Sequence, residues 1–327
     1  MIEQEVIIQS GDIKLKGILC LPVGDGPFPV LLYVSGSGPI DRNENIPGLR
    51  LNNSKIIAHH LAQQYIASLR YDKRGVGDSG GDFYSASHSD LVDDAVACTQ
   101  FLQQQTSIET EKIFVAGHSE GSIIATQVAI RQQNIAGIIL LSPFCDEMES
   151  ILMKQAQHLK SMVMGRKGLK ALPWKFMTFL FDPTKAQKKL INKIKESDKP
   201  FIRFLGLQKV PANWFRELFT YSVLHVEQKY RQSNVPGLLI GGSKDFQCDP
   251  CDVVKIENIY GGSAEAHIVE NMSHLLRKEE EEPSVFNYRV QLKQTIMPEV
   301  LELIDAWLQR QLRDLQSSEL NISESNI

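Results

Sequence analysis

Apolar positions in the first half of the chain fall into short runs separated by turn residues, and the runs switch between strand-like and helix-like spacing. Residues Glu5 to Ile8 and Ile13 to Leu21 predict two strands joined by the turn SGD, and GPFPVLLYVSGSGP predicts a buried strand opening into a Gly/Ser loop. IASLRYD (66–72) predicts another strand, ending in the glycine-rich loop KRGVGDSGGD; the following SDLVDDAVACTQFLQQQ has helical spacing, with Ser89 or Asp90 as its N-cap. Strand KIFVAG, helix EGSIIATQVAIRQQ and strand AGIILLSP continue the alternation. This rhythm predicts an α/β fold, a mostly parallel twisted sheet with helices on both faces.

After Pro143 the alternation stops, and residues 145–233 show helical patterns with no clear strand. Strand VPGLLIGG, helix DVVKIENIY, strand AEAHIVE and the long amphipathic helix PEVLELIDAWLQRQLRDL then resume it. The expected organisation is a core of residues 1–144 and 234–314 and a helical cap of 145–233 inserted after the sixth strand. A flexible tail, 315–327, is expected because SSELNISESNI is polar and lacks aromatics.

Composition narrows the function classes. The 327 residues are 43% hydrophobic, enough for a substantial core, and the net charge is −4 without a basic stripe interleaved with aromatics, which points away from nucleic acid. No window approaches the roughly 18 apolar residues of a membrane span. The N-terminal MIEQEVIIQSGD carries acids where a signal peptide would carry Lys or Arg, so a cytoplasmic protein is expected. Five scattered cysteines (Cys20, Cys98, Cys145, Cys248, Cys251) do not make a disulfide framework.

The chemistry centres on GHSEG, residues 117–121, which fits GxSxG between a strand and a helix. Glycines at its ends leave room for a sharp turn, and the helix start aims N–H groups at developing negative charge. Ser119 is the candidate nucleophile. A serine hydroxyl needs a base oriented by a carboxylate, and in this architecture the chain order is Ser, acid, His. The loop SKDFQCDPCD offers Asp245, Asp249 and Asp252; Asp245 follows its strand most directly, whereas Asp249, before Pro250, reads as a cap for the next helix. The loop NMSHLLRK offers His274. The other histidines weighed are placed structurally: His267 in a strand, His59 and His60 in a helix, His225 in the insertion, and His118 pointing away from its neighbour Ser119. The oxyanion donors expected are the backbone N–H groups of Glu120 and of Ser37, the latter between Gly36 and Gly38. Trp214, Phe215, Phe219 and Tyr221 are spaced to line an acyl pocket, although such spacing also suits a core. Insertion acids such as Glu217 or Glu227 could meet a substrate amine, although each reads more simply as a solvated helix-face charge.

Four segments, SGSGPIDRNEN, YDKRGVGDSGGD, AGHSEG and the pair GGSKDFQCDP with NMSHLLR, together resemble a bacterial branch of α/β-hydrolases, esterases and serine-aminopeptidase-like enzymes. The resemblance implies a Ser119, Asp245, His274 triad, oxyanion donors at Ser37 and Glu120, and a helical cap. It departs at Ser35, where the family usually has histidine, and at Cys248, where valine is common. Cys248 with Cys251 forms CDPC, a redox-like spacing, but a metal there would want two more ligands and none is evident in the sequence. The expected activity is hydrolysis of a small-molecule carboxylic ester of small or medium acyl length without cofactor or metal. An amidase, aminopeptidase or thioesterase using the same triad is the alternative, and a non-catalytic binding protein on this fold is a rival of another class.

Overall fold

The computed structural model describes residues 1–46, 48–168, 172–204 and 208–325, with side chains as far as residue 317. In chain order the first half forms β1 (Ile2–Ser10), β2 (Ile13–Leu21), β3 (Phe28–Val34), the two-residue strands β4 (Asn45–Ile46) and β5 (Leu49–Arg50), α1 (Asn53–Gln63), β6 (Ala67–Tyr71), α2 (His88–Gln103), β7 (Ile108–His118), α3 (Glu120–Arg131) and β8 (Ile135–Leu141). Then come α4 (Met148–Gly165), α5 (Leu172–Leu180), α6 (Pro183–Lys195), β9 (Phe201–Phe204), β10 (Gln208–Pro211), α7 (Ala212–Leu218) and α8 (Val223–Ser233). The chain returns through β11 (Gly237–Gly242), α9 (Cys251–Tyr260), β12 (Ala264–Val269), α10 (Tyr288–Gln291) and α11 (Pro298–Ser325).

Eight strands form one sheet in the order β1-β2-β6-β3-β7-β8-β11-β12. The β1 and β2 strands pair antiparallel, as do β2 and β6, and the remaining pairs are parallel. The central strands are buried on both faces, which is why they read as continuous apolar runs. One face packs on α2, α3, α8 and α9 through residues such as Leu91, Val128, Tyr230 and Ile256. The other packs on α1 and α11 through Ile57, Leu61, Ile304 and Trp307.

Three local expectations change. The α2 N-cap is Ser87, not Ser89 or Asp90: the Ser87 side chain accepts from the Asp90 amide while Asp90 accepts from the Ser87 amide, a reciprocal capping box. Ser89 is inside the helix. Residues 145–233 are not purely helical, because β9 and β10 pair antiparallel there from Gln208↔Phe204 to Pro211↔Phe201. These four-residue strands are too short for a period to show. Finally, α11 continues to Ser325, past the apolar stripe that ends in the sequence at Leu315, where a flexible tail was expected.

Trp307 lies edge-on to Phe114 of β7, ring centroids 5.8 Å apart, and reaches over Gly137, where an added Cβ would sit 2.6 Å from its ring. It therefore anchors α11 to the central strands. Trp307→Ala is expected to cost about 4 kcal/mol of stability, measured by urea unfolding.

Candidate active site

β7 delivers Ser119 into a turn that ordinary backbone avoids, with φ 55 and ψ −120, and α3 begins at the next residue. The turn is possible because its glycines are bare. A Cβ on Gly117 would lie 2.0 Å from the Gly121 carbonyl oxygen, and one on Gly121 would lie 2.2 Å from that of Val34 in β3. The Ser119 amide donates to the Leu141 carbonyl at 2.8 Å, tying the turn to the end of β8.

Asp245 follows β11 and His274 follows β12, both at carboxyl ends of parallel strands. Asp245 Oδ2 lies 2.8 Å from His274 Nδ1, while Oδ1 accepts from the amides of Gln247 and Cys248 at 2.8 and 3.0 Å. Burial pushes this carboxyl up, but His274 and the Cys248 amide outweigh burial and hold it below the usual carboxylate range. With Nδ1 hydrogen-bonded to a carboxylate, His274 keeps Nε2 free to accept a proton. The other two acids of the loop are used elsewhere: Asp249 accepts from the Cys251 amide at 3.0 Å, and buried Asp252 accepts from the Cys145 amide at 3.0 Å.

Cys248 is placed differently from the redox-like spacing of the sequence. Cys251 is exposed, whereas Cys248 is buried, and its sulfur lies within 4.8 Å of ligand-type atoms of Asp245 and His274. Both neighbours are the residues that the sequence reading assigned as acid and base. Both Asp245 oxygens are already taken by His274 and two amides. Burial, with Asp245 and Asp252, pushes the thiol well above its ordinary value, opposed by the Ser119 hydroxyl beside it. Cys248 is thus a neutral neighbour of the serine.

The loop after β3 is held by groups that the sequence reading left without roles. The Lys73 ammonium is buried; it donates to the Gly36 carbonyl and lies 3.4 Å from Glu120 Oε2. A trans peptide sets C=O and N–H on opposite sides, so fixing the Gly36 carbonyl also fixes the direction of the Ser37 N–H. Glu120 Oε1 accepts from Trp214 Nε1 of α7 and lies 3.3 Å from His88 Nδ1. His88 Nε2 meets the Gln127 amide at 2.9 Å, and Gln127 accepts from Lys229 at 3.2 Å. Burial works against ionised Glu120, yet Lys73, His88 and Trp214 together lower its pKa to about 2. The flanking residues of YDKRG brace the same region: Asp72 accepts from the Arg42 guanidinium at 2.6 Å and amide at 2.7 Å, and Arg74 grips Asp94 of α2 through two bonds of 2.7 and 2.8 Å.

His118 also has a specific environment. Its Nδ1 lies 2.7 Å from Glu44 Oε1 and its Nε2 lies 3.0 Å from the His274 carbonyl oxygen, while its ring is tilted against that of His274 with centroids 4.9 Å apart. Carboxylate and carbonyl oxygens only accept, so both His118 nitrogens donate and the ring is an imidazolium. Burial lowers its pKa, but Glu44 and then Asp245 raise it above the ordinary value. Glu44 in turn accepts from Tyr33 at 2.7 Å and from the Gly36 amide.

Ser37, Ser119 and His274 line one cavity of about 890 Å³. Its wall includes Ile40, Phe83, Phe144, Leu275 and, from the insertion, Met148, Ile151, Leu190, Val210, Trp214 and Phe215. Phe219 and Tyr221 do not line it. Helix α7 ends at Leu218, so the spacing that set them beside Trp214 and Phe215 breaks there. Phe219 packs on Phe215, centroids 5.6 Å apart, beneath Lys195, and Tyr221 meets the His88 edge at 6.0 Å with Lys229 over its ring.

Two measurements follow. Nitrogen NMR is expected to find both His118 ring nitrogens protonated at pH 6.5, and Glu44→Gln to shift the loss of that protonation to lower pH. Because the folded pKa is raised above 6.5, the stabilisation is complete below that value and fades as pH rises through the folded pKa. For Glu120 the sign is reversed. Its drop from 4.5 to about 2 contributes about 3 kcal/mol above pH 4.5, lost as pH falls through 2. Glu120→Gln is therefore expected to destabilise the protein by about that amount at neutral pH, with the gap to the parent narrowing on acidification in urea titrations.

Comparison with known proteins agrees with this architecture. The chain is 25% identical over 243 residues to esterase EstD of Thermotoga maritima, covering 73% of this chain and 52% of that protein; it thus spans about half the length of that relative. The structure of Est1E from Butyrivibrio proteoclasticus with bound ferulic acid superposes with a TM-score of 0.63 at 18% identity, covering 94% of this chain and 99% of that one. A proline iminopeptidase from Mycobacterium smegmatis superposes with a TM-score of 0.60 at 14% identity, covering 96% and 100%. Residues 51–281 match the family described as "Serine aminopeptidase, S33", and with most of its length inside that match the chain belongs to this family of α/β-hydrolases.

Proposed function

We propose that the chain is a serine hydrolase that cleaves carboxylic esters with an apolar portion. Ser119 attacks the carbonyl carbon, and His274 takes the hydroxyl proton on Nε2 and returns it to the leaving alcohol. Asp245 keeps the imidazole oriented and balances its positive charge. The N–H groups of Ser37 and Glu120 receive the oxyanion, and water then releases the acid from the acyl-serine. Residues 145–233 act as a cap over the site, with Trp214 and Phe215 among the side chains that meet the substrate.

The observation that carries the ester reading is the chemistry of the cavity wall. An aminopeptidase needs a carboxylate to meet the substrate ammonium, because a buried unpaired charge is costly. Glu44 is the sole carboxylate along the wall among the described residues, and His118, Tyr33 and the Gly36 amide occupy it. Glu217 and Glu227 are not on the wall, and Glu217 accepts from the Ser89 amide at 2.9 Å and from its hydroxyl. The esterase name of the Thermotoga relative favours the same side. The iminopeptidase shares only the fold with this chain.

A panel of p-nitrophenyl esters of rising acyl length, run beside an aminoacyl anilide, is expected to show turnover of esters with little of the anilide. Ser119→Ala is expected to lower kcat/KM by about 10⁴ while the protein stays folded. Preference for the anilide would overturn the ester assignment, and unchanged turnover in the alanine variant would overturn the nucleophile.

A further inference from the structure

Helix α5 is inside out. Thr178 is its buried residue, while Trp174, Phe176, Met177 and Leu180 and the adjoining Phe181 are half-exposed or more, and Phe179 is 80% exposed. Apolar side chains scattered singly over a surface are ordinary, but a contiguous aromatic helix face marks a docking surface. Trp174 extends the patch to Phe286, ring centroids 5.9 Å apart, and the Arg166 guanidinium rests 4.3 Å over that same ring.

The charge around the patch indicates what it meets. The protein as a whole carries −4, yet from Arg166 to Lys189 the sequence holds Arg166, Lys167, Lys170, Lys175, Lys185, Lys188 and Lys189 against the single acid Asp182. Asp182 is already paired with Lys160. Lys167, Lys175, Lys185, Lys188 and Lys189 meet no carboxylate among the described residues. Aromatic and long apolar side chains bordered by unpaired lysines match the boundary of an anionic bilayer, where rings enter the acyl layer and ammonium groups stay at the headgroups. A second copy laid on the same face would bring two sets of lysines together. No helix among the described residues is long and apolar enough to cross a membrane, so the contact is one of a helix lying on the surface.

We infer that α5 and its bordering lysines dock this protein onto an anionic lipid surface. The position suits delivery of apolar molecules: α5 lies in the chain between α4 and α6, which contribute Met148, Ile151, Gln187 and Leu190 to the cavity wall. Docking does not depend on ester hydrolysis, and its test reads no turnover.

The full chain is mixed with vesicles of phosphatidylcholine alone, or of phosphatidylcholine and phosphatidylglycerol in equal parts, and floated on a density gradient. The protein is expected to rise with the anionic vesicles, to be released by high salt, and to stay behind with the neutral ones. Phe176→Asp with Phe179→Asp, and separately Lys185→Glu with Lys188→Glu and Lys189→Glu, are each expected to weaken binding at least tenfold. Circular dichroism and turnover of a soluble short-chain ester are expected to match the parent, since none of these side chains lines the cavity. No flotation with anionic vesicles, flotation unaffected by both variants, or a dimer abolished by the Phe substitutions without vesicle binding would each overturn the inference.

Discussion

The Lys73 ammonium is the constraint around which the site is built. A buried cation must be matched, and this one is matched on two sides, by the Gly36 carbonyl and the Glu120 carboxylate. The first contact sets the peptide that presents the Ser37 N–H. The second acts on Glu120, whose own N–H directly follows Ser119. One side chain at the end of β6 therefore fixes the relative placement of two backbone donors from β3 and α3, without either loop having to be rigid by itself.

A second buried pair does comparable work on the opposite side. Glu44 and His118 join the β3 loop to the end of β7, and His118 continues to the backbone of His274. Gly36 is consequently held from both directions, its amide by Glu44 and its carbonyl by Lys73. Its lack of a side chain matters as well, since a Cβ there would lie 3.2 Å from that of Ser119.

The fold and the positions of Ser119, Asp245 and His274 were legible because each leaves a local mark: a GxSxG between two periods, or a polar residue just past an apolar strand. The buried ion pairs left none. Lys73 and Glu44 sit among glycines and other polar residues in segments whose burial depends on strands distant in sequence, and His118, read as a structural histidine, gave no sign of its partner Glu44. The pocket aromatics were half legible for a related reason. Helical spacing holds for Trp214 and Phe215, but α7 ends before Phe219, and nothing in NWFRELFTYS announces that end. The β9–β10 pair was hidden by its brevity, and the place of Cys248 beside Asp245 and His274 by its redox-like spacing to Cys251.

Trp214 stands apart from the rest of the insertion because its indole N–H is bound to Glu120. The insertion is thus moored at α7 to the very residue that follows Ser119. Transplanting this segment into another hydrolase, or replacing it with a foreign one, is accordingly a transaction in hydrogen-bond donors as well as in shape. A replacement lacking an N–H at that point would leave a carboxylate buried with one partner fewer, and the disturbance would enter the β7–α3 turn from its far side. The Trp214 hydrogen bond thus couples the insertion to the β7–α3 turn through a group buried between them.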